Sequence, residues 1–233
     1  MKLFEPFFPH NVQCHFSDRT QDFRAQGTAE MIKAQQDFLR SCFPTGTMKS
    51  PLQIRQVHGD NVVVIGNEAE KKSYQQTEAD GLVTNQADTG LLIRTADCLS
   101  VFLYDPRRRS MGLIHAGWRG SQKKIVPKAC RILHEHWGAD LQELKVGFGP
   151  AIRSCCYEVG EEFQQIFPKA FQKRAQRIFL DLIKVNREQL LELGVTKENI
   201  NDCQCCTCCD PRFFSYRREG AKAGRHASLM FFS

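Results

Sequence analysis

Two histidines and one cysteine, His58, Cys98 and His115, are the residues of this 233-residue chain whose types suggest one reactive site. Imidazole nitrogens and a thiolate suit a borderline-soft cation such as zinc. Three protein ligands leave the fourth tetrahedral position for water or substrate, as catalytic rather than structural zinc requires. Their spacing matches no local ligand signature, so a buried cysteine and two hydrogen-bonded histidines are the alternative interpretation.

A predicted β-hairpin brings two of these residues together. The segments 100–105 (SVFLYD) and 111–116 (MGLIHA) alternate as strands do, and Pro106 with the arginines after it indicates a polar turn. If the turn centres just after Pro106, paired residues have numbers that add to about 215. This register places Cys98 and His115 near one another at the same end of the hairpin.

His58 lies in the segment 56–61 (QVHGDN), a predicted turn between two strand-like segments. A turn can present a side chain into a cleft. A metal ion held there could activate a water molecule or polarise a substrate oxygen. A cysteine hydrolase, with Cys98 as nucleophile and His115 as base, is an alternative on the same residues.

The elements that must position this site are short strands in the middle of the chain. They are short, rich in β-branched or aromatic residues, and bounded by turn residues: LQIRQV, NVVVIG, GLVTN, GLLIRTA, SVFLYD, MGLIHA and LKVGFG. Several follow one another without an intervening helix, which argues against a purely alternating βαβ arrangement. We therefore predict an α+β fold, a single domain over 1–233 with a mixed, largely antiparallel β-sheet core flanked by helices.

Helix signals flank the strand-rich region. Thr28 is a candidate N-cap for a helix up to position 43, and Ser121 for a helix that Gly138 ends. Pro127 lies inside the second pattern, so that helix either kinks there or begins after Ser121. Two further segments have helical patterns, GEEFQQIFPKAF and DLIKVNREQLLELG, the second ended by Gly194.

The composition excludes several classes of protein. The net charge is +6, but the basic residues are scattered and form no long stripe for nucleic acid. No run of about 18 apolar residues occurs, so no membrane span is expected. The N-terminal segment is broken by Glu5, Pro6 and Pro9 and has no small-residue cleavage site. We expect a cytoplasmic protein, a monomer or homodimer, with no nucleic-acid or membrane partner.

The chain has 11 cysteines, an odd and high number. A chain without a secretion signal and with a core of this size needs no disulfides, so reduced thiols are expected. Five of the cysteines crowd into 203–209 (CQCCTCC). This spacing lacks the two well-separated pairs that enclose a structural zinc ion. We therefore favour reduced, partly buried thiols there, and a second metal site is the alternative.

Four blocks resemble the YfiH-like family, whose fold is also called CNF1-like: EADGLVTNQADTGLLIRTADCLSVFLYDP, GLIHAGWRGS, VGFGPAIRSCCYEVG and CTCCDPRFFSYRREGAKAGRHASLMF. The resemblance runs from Gln56 to the C-terminus. The family was long named laccase-domain or polyphenol oxidase and was later understood as purine nucleoside phosphorylases. The resemblance implies that His58, Cys98 and His115 bind the catalytic zinc. Ser100 stands where the family commonly has proline, which should change rigidity more than chemistry.

The resemblance also implies the reactions and the substrates. These are phosphorolysis of adenosine, inosine or guanosine to a free base and ribose 1-phosphate, cleavage of methylthioadenosine, and hydrolytic deamination of adenosine. Phosphorolysis needs bound phosphate, which the fork of an arginine pairs with bidentately. The candidates for phosphate binding are, in order, Arg119, then Arg217 and Arg218 with Ser215 as a further donor, then Arg55. Each of these arginines could instead form a structural ion pair.

Deamination at C6 of adenine needs a carboxylate that shuttles protons. Asp97 and Glu158 are the carboxylates in the matching motifs, although Asp97 is favoured as the group that orients a ligand histidine. Phe213, Phe214 and Tyr216 could stack on a purine, although alternating aromatics in a strand are more often core residues.

The older family name suggests a copper-dependent polyphenol oxidase. Multicopper oxidases need histidines in paired HxH motifs around several copper ions, following the preference of copper for imidazole. This chain has seven histidines, a single HxH motif, and no blue-copper loop with a following methionine. Zinc is therefore the expected cofactor and copper the less favoured one. A protein that keeps the fold for a regulatory role without turnover is a further alternative.

Overall fold

The structure, a computed structural model, describes residues 1–24, 27–43, 50–66 and 74–233. The strands and helices within these ranges are, in chain order, β1 (Val12–Phe16), α1 (Ala29–Cys42), β2 (Val62–Ile65), β3 (Gly81–Thr84), β4 (Leu91–Thr95), β5 (Leu99–Asp105), β6 (Ser110–Ala116), α2 (Trp118–Gln122), α3 (Ile125–Trp137), β7 (Lys145–Phe148), β8 (Glu158–Val159), α4 (Phe163–Ile166), β9 (Phe171–Arg174), β10 (Arg177–Leu180), α5 (Leu182–Leu193), β11 (Ile200–Asp202), α6 (Tyr216–Glu219) and β12 (His226–Phe232). Short 3₁₀ turns lie between some of them.

The described strands form three sheets. The largest has the order β11-β7-β5-β6-β3-β2, with parallel pairs only at its two edges. A second sheet has the order β1-β12-β4, and a small third sheet the order β8-β10-β9, and both are antiparallel. The predicted α+β fold with mixed, largely antiparallel sheets is confirmed.

The two larger sheets pack face to face between helices. In β5, Val101 and Leu103 face a core shared with α3 and α5, whereas Phe102 and Tyr104 face a core shared with the second sheet. This follows from the alternation of side chains along a strand. Because both faces of β5 and β6 are covered, every residue of these strands is buried. The outer face of the second sheet packs against α1.

The hairpin of β5 and β6 has the predicted register. Leu99 lies opposite Ala116, and Ser100 lies opposite His115. The Ser100 hydroxyl also hydrogen-bonds that of Ser228 on β12 at 2.6 Å, so it links the two larger sheets. The end of the hairpin that carries Cys98 and His115 therefore lies at the seam between these sheets.

The helices agree with the sequence signals in part. Thr28 caps α1 by accepting a hydrogen bond from the Met31 N–H, and α3 ends at Gly138 with a φ of 69°. Of the two possibilities for the second helix, a start after Ser121 is confirmed, because α3 begins at Ile125. Ser121 itself is not the cap, since it lies inside the short α2. Pro127 then occupies the first turn of α3, where its missing N–H costs nothing.

Two element predictions need correction. The segment GEEFQQIFPKAF is helical only over Phe163–Ile166, and its last residue begins β9. The segment LQIRQV is no regular strand, since only Leu52 and Arg55 form isolated bridges. Within the described ranges, no helix is long and apolar enough to cross a membrane.

Candidate metal centre and its cavity

The three predicted ligands, His58, Cys98 and His115, lie together. Their ligand atoms are all within 4.8 Å of one another, and the two imidazole rings meet edge to face with centroids 4.8 Å apart. His58 belongs to the turn before β2, Cys98 to the connection between β4 and β5, and His115 to β6. Two nitrogens and one sulfur with this spacing fit a tetrahedral metal ion that keeps one open position.

Asp80, which the sequence analysis missed, fixes two of the ligands. Its Oδ1 is 2.7 Å from Nδ1 of His115, so the other ring nitrogen is left for a metal. Its two oxygens also accept the N–H groups of Val57, His58 and Gly59 at 3.2, 2.9 and 2.6 Å. These bonds hold the backbone of His58 at a φ of 58°, which is uncommon for a residue other than glycine.

A signal for Asp80 existed in the strand pairing. β3 runs antiparallel to β6 with Gly81 opposite Ile114, which brings the preceding Asp80 to His115. The Asp80 carbonyl indeed accepts the His115 N–H at 2.7 Å. The hairpin of β5 and β6 could be predicted locally, whereas the pairing of β3 with β6 is a longer-range contact.

The charges of the site favour a thiolate. Burial raises the pKa of Cys98, but the neighbouring His115 and His58 lower it more, and the resulting pKa is about 6. Burial lowers the pKa of His115, but Cys98 and Asp80 raise it more, to about 9. Near neutral pH the sulfur is therefore the ionised form that binds metals.

Gly117, at the end of β6, leaves room for the ligand cluster. A Cβ atom at this position would lie 3.1 Å from Sγ of Cys98 and 3.4 Å from Cδ2 of His58. Both distances are at or below the close limit of ordinary contacts, so any larger residue would push the ligands aside.

Asp97 is buried beside Cys98 and holds a neighbouring loop instead of a ligand histidine. Its Oδ1 accepts the Thr207 hydroxyl at 2.6 Å, and its Oδ2 accepts the Ser215 hydroxyl at 3.0 Å and the Arg217 N–H at 2.7 Å. These bonds keep Asp97 at a φ of 86°. The carboxylate that orients His115 is that of Asp80. Asp80 therefore positions the ligands, and Asp97 positions the neighbouring loop.

The ligand cluster opens into a cavity of about 830 Å³, within the range of small-molecule sites. Of the predicted phosphate-binding residues, Arg55 and Arg217 line it. Arg55 is more than half exposed and forms an ion pair with Glu78 at the rim. The guanidinium of Arg217 lies over the Tyr157 ring, 5.4 Å from its centroid.

The other predicted phosphate-binding residues are engaged elsewhere and do not line the cavity. Arg119 lies over the Trp118 ring, 4.5 Å from its centroid. Ser215 caps α6 in addition to its bond to Asp97. Arg218 donates to backbone carbonyls, including that of Cys208 at 2.9 Å. These three side chains hold the walls of the site in place.

Arginines that the sequence analysis did not single out also line the cavity. They are Arg24, Arg94 and Arg225. Arg24 pairs with Asp22 at 2.6 Å. Burial and then the positive charge of Arg225 lower the pKa of Arg94, and neither of these two forms an ion pair with a carboxylate among the described residues. Arg225 also donates to the carbonyls of Ala223 and Gly224 at 2.8 and 2.9 Å. Two like charges facing one cavity, without ion pairs of their own among the described residues, favour an anionic ligand.

The cavity also offers surfaces and polar groups for an aromatic ring. Trp118, Tyr157 and Tyr216 line it, whereas Phe213 and Phe214 are buried in the core. Burial and then the Cys98 thiolate raise the pKa of Tyr157 well above its usual value, so its hydroxyl stays a hydrogen-bond donor. Of the predicted stacking residues, Tyr216 alone reaches the cavity.

Two polar residues complete the picture. Thr95 lines the cavity, and its buried hydroxyl has no hydrogen-bond partner in the described part of the chain. Glu158 lies outside the cavity and pairs with Arg177, which lowers the pKa of Glu158. Glu158 therefore faces a different depression of the surface.

Comparisons with known proteins identify one family model, several relatives and solved structures that this chain resembles. A family model described as multi-copper polyphenol oxidoreductase laccase matches residues 14–233. The purine nucleoside phosphorylase of Aquifex aeolicus is 34% identical over 178 residues, covering 76% of this chain and 81% of that protein. Adenosine deaminase RL5, from an unknown prokaryotic organism, is 32% identical over 190 residues, covering 73% of this chain and 71% of that protein. The crystal structure of the Bacillus licheniformis hypothetical protein YfiH has a TM-score of 0.83 at 25% identity, covering 95% and 93% of the two chains.

Proposed function

The chain belongs to the multi-copper polyphenol oxidoreductase laccase family, and from this premise we propose that it is a zinc-dependent purine nucleoside phosphorylase. It would act on adenosine, inosine and guanosine with inorganic phosphate. A phosphate oxygen forms a bond to C1′ of the ribose as the bond from C1′ to the purine breaks, which gives ribose 1-phosphate and a free base. The name of the Aquifex aeolicus relative supports this reaction.

The observation that carries the proposal is the pair of arginines beside the metal ligands. Arg94 and Arg225 line the cavity that His58, Cys98 and His115 also line, and they have no carboxylate partner among the described residues. A phosphate dianion would relieve their repulsion and accept bidentate hydrogen bonds from them. An oxidase of neutral phenols has no use for such an arrangement.

The donor set fits zinc. Two imidazoles and a thiolate of lowered pKa are ligands that zinc prefers, and Asp80 supports one of them through its second ring nitrogen. When bound, the ion supplies Lewis-acid polarisation of a substrate oxygen or nitrogen. His58, Cys98 and His115 would hold it, and Gly117 leaves space for the sulfur.

The remaining cavity residues would bind the nucleoside. Trp118 and Tyr216 offer aromatic faces for the purine. The departing base gains negative charge, and the protonated Tyr157 hydroxyl can donate a hydrogen bond to it. These contacts orient C1′ toward the arginines.

Methylthioadenosine cleavage and adenosine deamination belong to the same proposal as further activities. The first needs the same contacts, because the substrate differs at the 5′ position of the ribose. The second needs a carboxylate that can carry a proton, and Asp97 lines the cavity with three hydrogen bonds already accepted. We therefore expect deamination to be slower than phosphorolysis. The name of the relative RL5 supports its presence.

A copper oxidase is the second candidate, because two histidines and a cysteine also form blue-copper sites. Those sites add a weak axial ligand, commonly methionine, and no methionine lines the cavity in the described part of the chain. Only two of the chain's seven histidines, His58 and His115, line this cavity. Two are too few for a multicopper cluster. Several copper ions per chain in the purified protein would favour this candidate over ours.

A cysteine hydrolase is the third candidate, since the shifted pKa values of Cys98 and His115 describe a thiolate and imidazolium pair. Such an enzyme would be alkylated and inactivated at Cys98 and would need no metal. Retained activity after complete metal removal by a chelator would favour it.

The decisive experiment measures phosphate dependence. The purified protein is incubated with inosine, with and without inorganic phosphate, and hypoxanthine and ribose 1-phosphate are quantified by chromatography. We expect both products in equal amounts only when phosphate is present. Hypoxanthine with free ribose, or no turnover of any of the three nucleosides by zinc-loaded protein, would contradict the proposal.

A further inference from the structure

A second cluster of sulfur atoms lies outside the cavity. The thiols of Cys155, Cys156, Cys206 and Cys209 all lie within 4.8 Å of one another. Cys155 and Cys156 belong to the turn that follows β7, and Cys206 and Cys209 to the turn that follows β11. We propose that these four thiols form a structural zinc site, separate from the catalytic one. The proposal does not depend on the reaction that the cavity performs.

The chain order hid this ligand set. Two well-separated pairs are the usual source of ligands for structural zinc. The segment 203–209 does not contain two such pairs. It does contain one, the C-x-x-C pair of Cys206 and Cys209. The second pair is Cys155 with Cys156, which the fold brings to it. The isolated bridge between Ala151 and Cys206 joins the two turns.

The distances suit a tetrahedral ion. The sulfur of Cys209 is 3.4 Å from that of Cys155 and 3.2 Å from that of Cys156. Sulfurs bound to zinc at about 2.3 Å lie about 3.8 Å apart at tetrahedral angles. All of the sulfurs lie within 4.8 Å of one another, so shifts of about 1 Å or less would bring them to this spacing. Four thiolates also fill every tetrahedral position, as a structural rather than a catalytic site requires.

Backbone N–H groups and one arginine surround part of the cluster. The N–H groups of Cys209, Arg153 and Cys208 stabilise a thiolate at Cys206 against the effect of burial, whereas burial and the neighbouring thiols disfavour negative charge at Cys155 and Cys156. Arg174 donates to the Cys155 carbonyl at 3.4 Å and lines the depression that holds Cys155 and Cys156. Hydrogen bonds and a nearby cation offset the net charge of −2 that four thiolates and one zinc ion carry.

The reaction that forms this site is a proton release. Each of the four thiols loses its proton to solvent as its sulfur binds Zn²⁺, so no oxidant or reductant takes part. The competing chemistry for these residues is oxidation. A disulfide between Cys156 and Cys209 would remove two electrons and two protons and would need an external oxidant.

The position of the cluster gives the ion a structural task. Thr207, which lies between two of the ligands, donates to Asp97 at 2.6 Å, and Asp97 precedes Cys98. Tyr157, which follows Cys156, lines the cavity. Fastening the two turns together would therefore fix one wall of the cavity. The zinc site would act on the cavity by holding these residues in place.

Metal counting tests the proposal. The full-length protein is purified under reducing, oxygen-free conditions, loaded with zinc, and dialysed against a weak chelator before elemental analysis. We expect two zinc ions per chain in the wild type, one in Cys98→Ala, and one in Cys155→Ser/Cys209→Ser. Cys203→Ser is the matched control, a thiol of the same segment outside the cluster, and should keep two.

Cobalt spectra identify the ligands without activity. Co²⁺ in a site of four thiolates gives intense thiolate-to-metal charge-transfer and visible bands. We expect the intense bands of four thiolates in Cys98→Ala, and only the weaker bands of the single Cys98 thiolate in Cys155→Ser/Cys209→Ser. One metal ion per wild-type chain, with the same count in the double variant, would overturn the proposal. So would a Cys156–Cys209 disulfide in the protein purified under these conditions, detected by peptide mass spectrometry.

Zinc protection keeps the test valid if the double variant does not fold. Wild-type protein is treated with an alkylating reagent before and after removal of zinc by a strong chelator, and modified cysteines are identified by mass spectrometry. We expect Cys155 and Cys209, the exposed members of the cluster, to be protected only while zinc is bound. Equal modification in both states would contradict the proposal.

Discussion

Two clusters of side chains that could hold a metal ion lie in the described part of the chain, and they differ in ligand number and surroundings. The first, His58, Cys98 and His115, has three ligands and opens into a cavity with unpaired arginines. The second, the four thiols of the two turns after β7 and β11, has four sulfurs within 4.8 Å and lies at the surface beside a shallow depression. An open coordination position next to a cavity suits catalysis, and a filled coordination sphere suits structure.

The two clusters also differ in what supports the ligands. Side chains support the first, since the Asp80 carboxylate bonds both a ligand ring and the turn that carries His58. Backbone N–H groups support one ligand of the second cluster, Cys206. A single substitution can therefore disturb the support of the first cluster selectively, whereas the support of the second depends on the path of the chain. The Asp97 carboxylate connects the two, because it accepts Thr207 from one turn and precedes Cys98.

Removing the thiolate of the first cluster should give the largest effect. Cys98→Ala leaves two imidazoles, which hold zinc weakly, and deletes the group whose pKa is about 6. We expect phosphate-dependent cleavage of inosine to fall by about 100-fold or more, because the ion supplies several kcal/mol of stabilisation. Steady-state kinetics and metal analysis of the same preparation check this. Cys203→Ser should stay within about twofold, and a Cys98→Ala protein with full activity would end the catalytic assignment.

Asp80→Asn should have the next largest effect. The amide keeps the size of the side chain but loses the charge that, with Cys98, raises the pKa of His115. Groups of this kind commonly change metal affinity or activity by about 10–100-fold. Zinc affinity of the catalytic site, measured by competition with a chelating dye, is the direct readout. Asp60→Asn is the matched control, because Asp60 pairs with Lys123 and Lys128 on the surface near the same turn.

The next prediction tests whether the arginines beside the first cluster bind phosphate. Arg94→Ala should raise the KM for phosphate by about tenfold or more, since a charge-assisted hydrogen bond contributes roughly 1.5–3 kcal/mol. The KM for inosine should change less. Arg94→Lys should lie between wild type and alanine, because lysine keeps the charge without the fork. Arg40→Ala, on the exposed face of α1, should match the wild type. An unchanged KM for phosphate in Arg94→Ala would place the anion elsewhere.

Sequence reasoning found what local patterns encode. The alternation of β5 and β6 and the turn between them gave the register that places Cys98 beside His115, and the resemblance added His58. Asp80 depends on the pairing of β3 with β6, and the arginine pair on the contact of β4 with β12. The thiol cluster depends on turns about 50 residues apart, which the parallel pairing of β7 and β11 and the bridge between Ala151 and Cys206 bring together. Such long-range contacts cannot be predicted from the residue pattern of any single segment.

The arginine candidates also show that the sequence alone does not decide which residues reach the cavity. Arg119 was the first candidate for phosphate binding, yet its guanidinium covers the Trp118 ring. Arg218 binds carbonyl groups of the loop that carries the thiols. Residue type predicts that an arginine can bind phosphate, but only the burial and partners of each one decide which is free to do so.

The smallest effect on turnover should come from the second cluster. In Cys155→Ser/Cys209→Ser the cavity keeps every ligand and arginine, so we expect the turnover of inosine at 25 °C to stay within about threefold of the wild type. Its stability should fall instead, because zinc binding that requires the folded turns contributes directly to folding free energy. For a chain of this size, each kcal/mol lost corresponds to roughly 2–4 °C in the thermal midpoint. A loss of several degrees, measured by calorimetry, is the expected outcome.

The control for this last effect is the chelator. A chelator that removes zinc only from the second cluster should lower the thermal midpoint of the wild type to that of Cys155→Ser/Cys209→Ser, and should leave the variant unchanged. Cys98→Ala should show the same drop on chelation, because its second cluster is intact. If chelation instead lowers the midpoint only in proteins that retain Cys98, then the stabilising ion lies in the cavity. The division between a catalytic and a structural site would then be wrong, since one metal ion would serve both purposes.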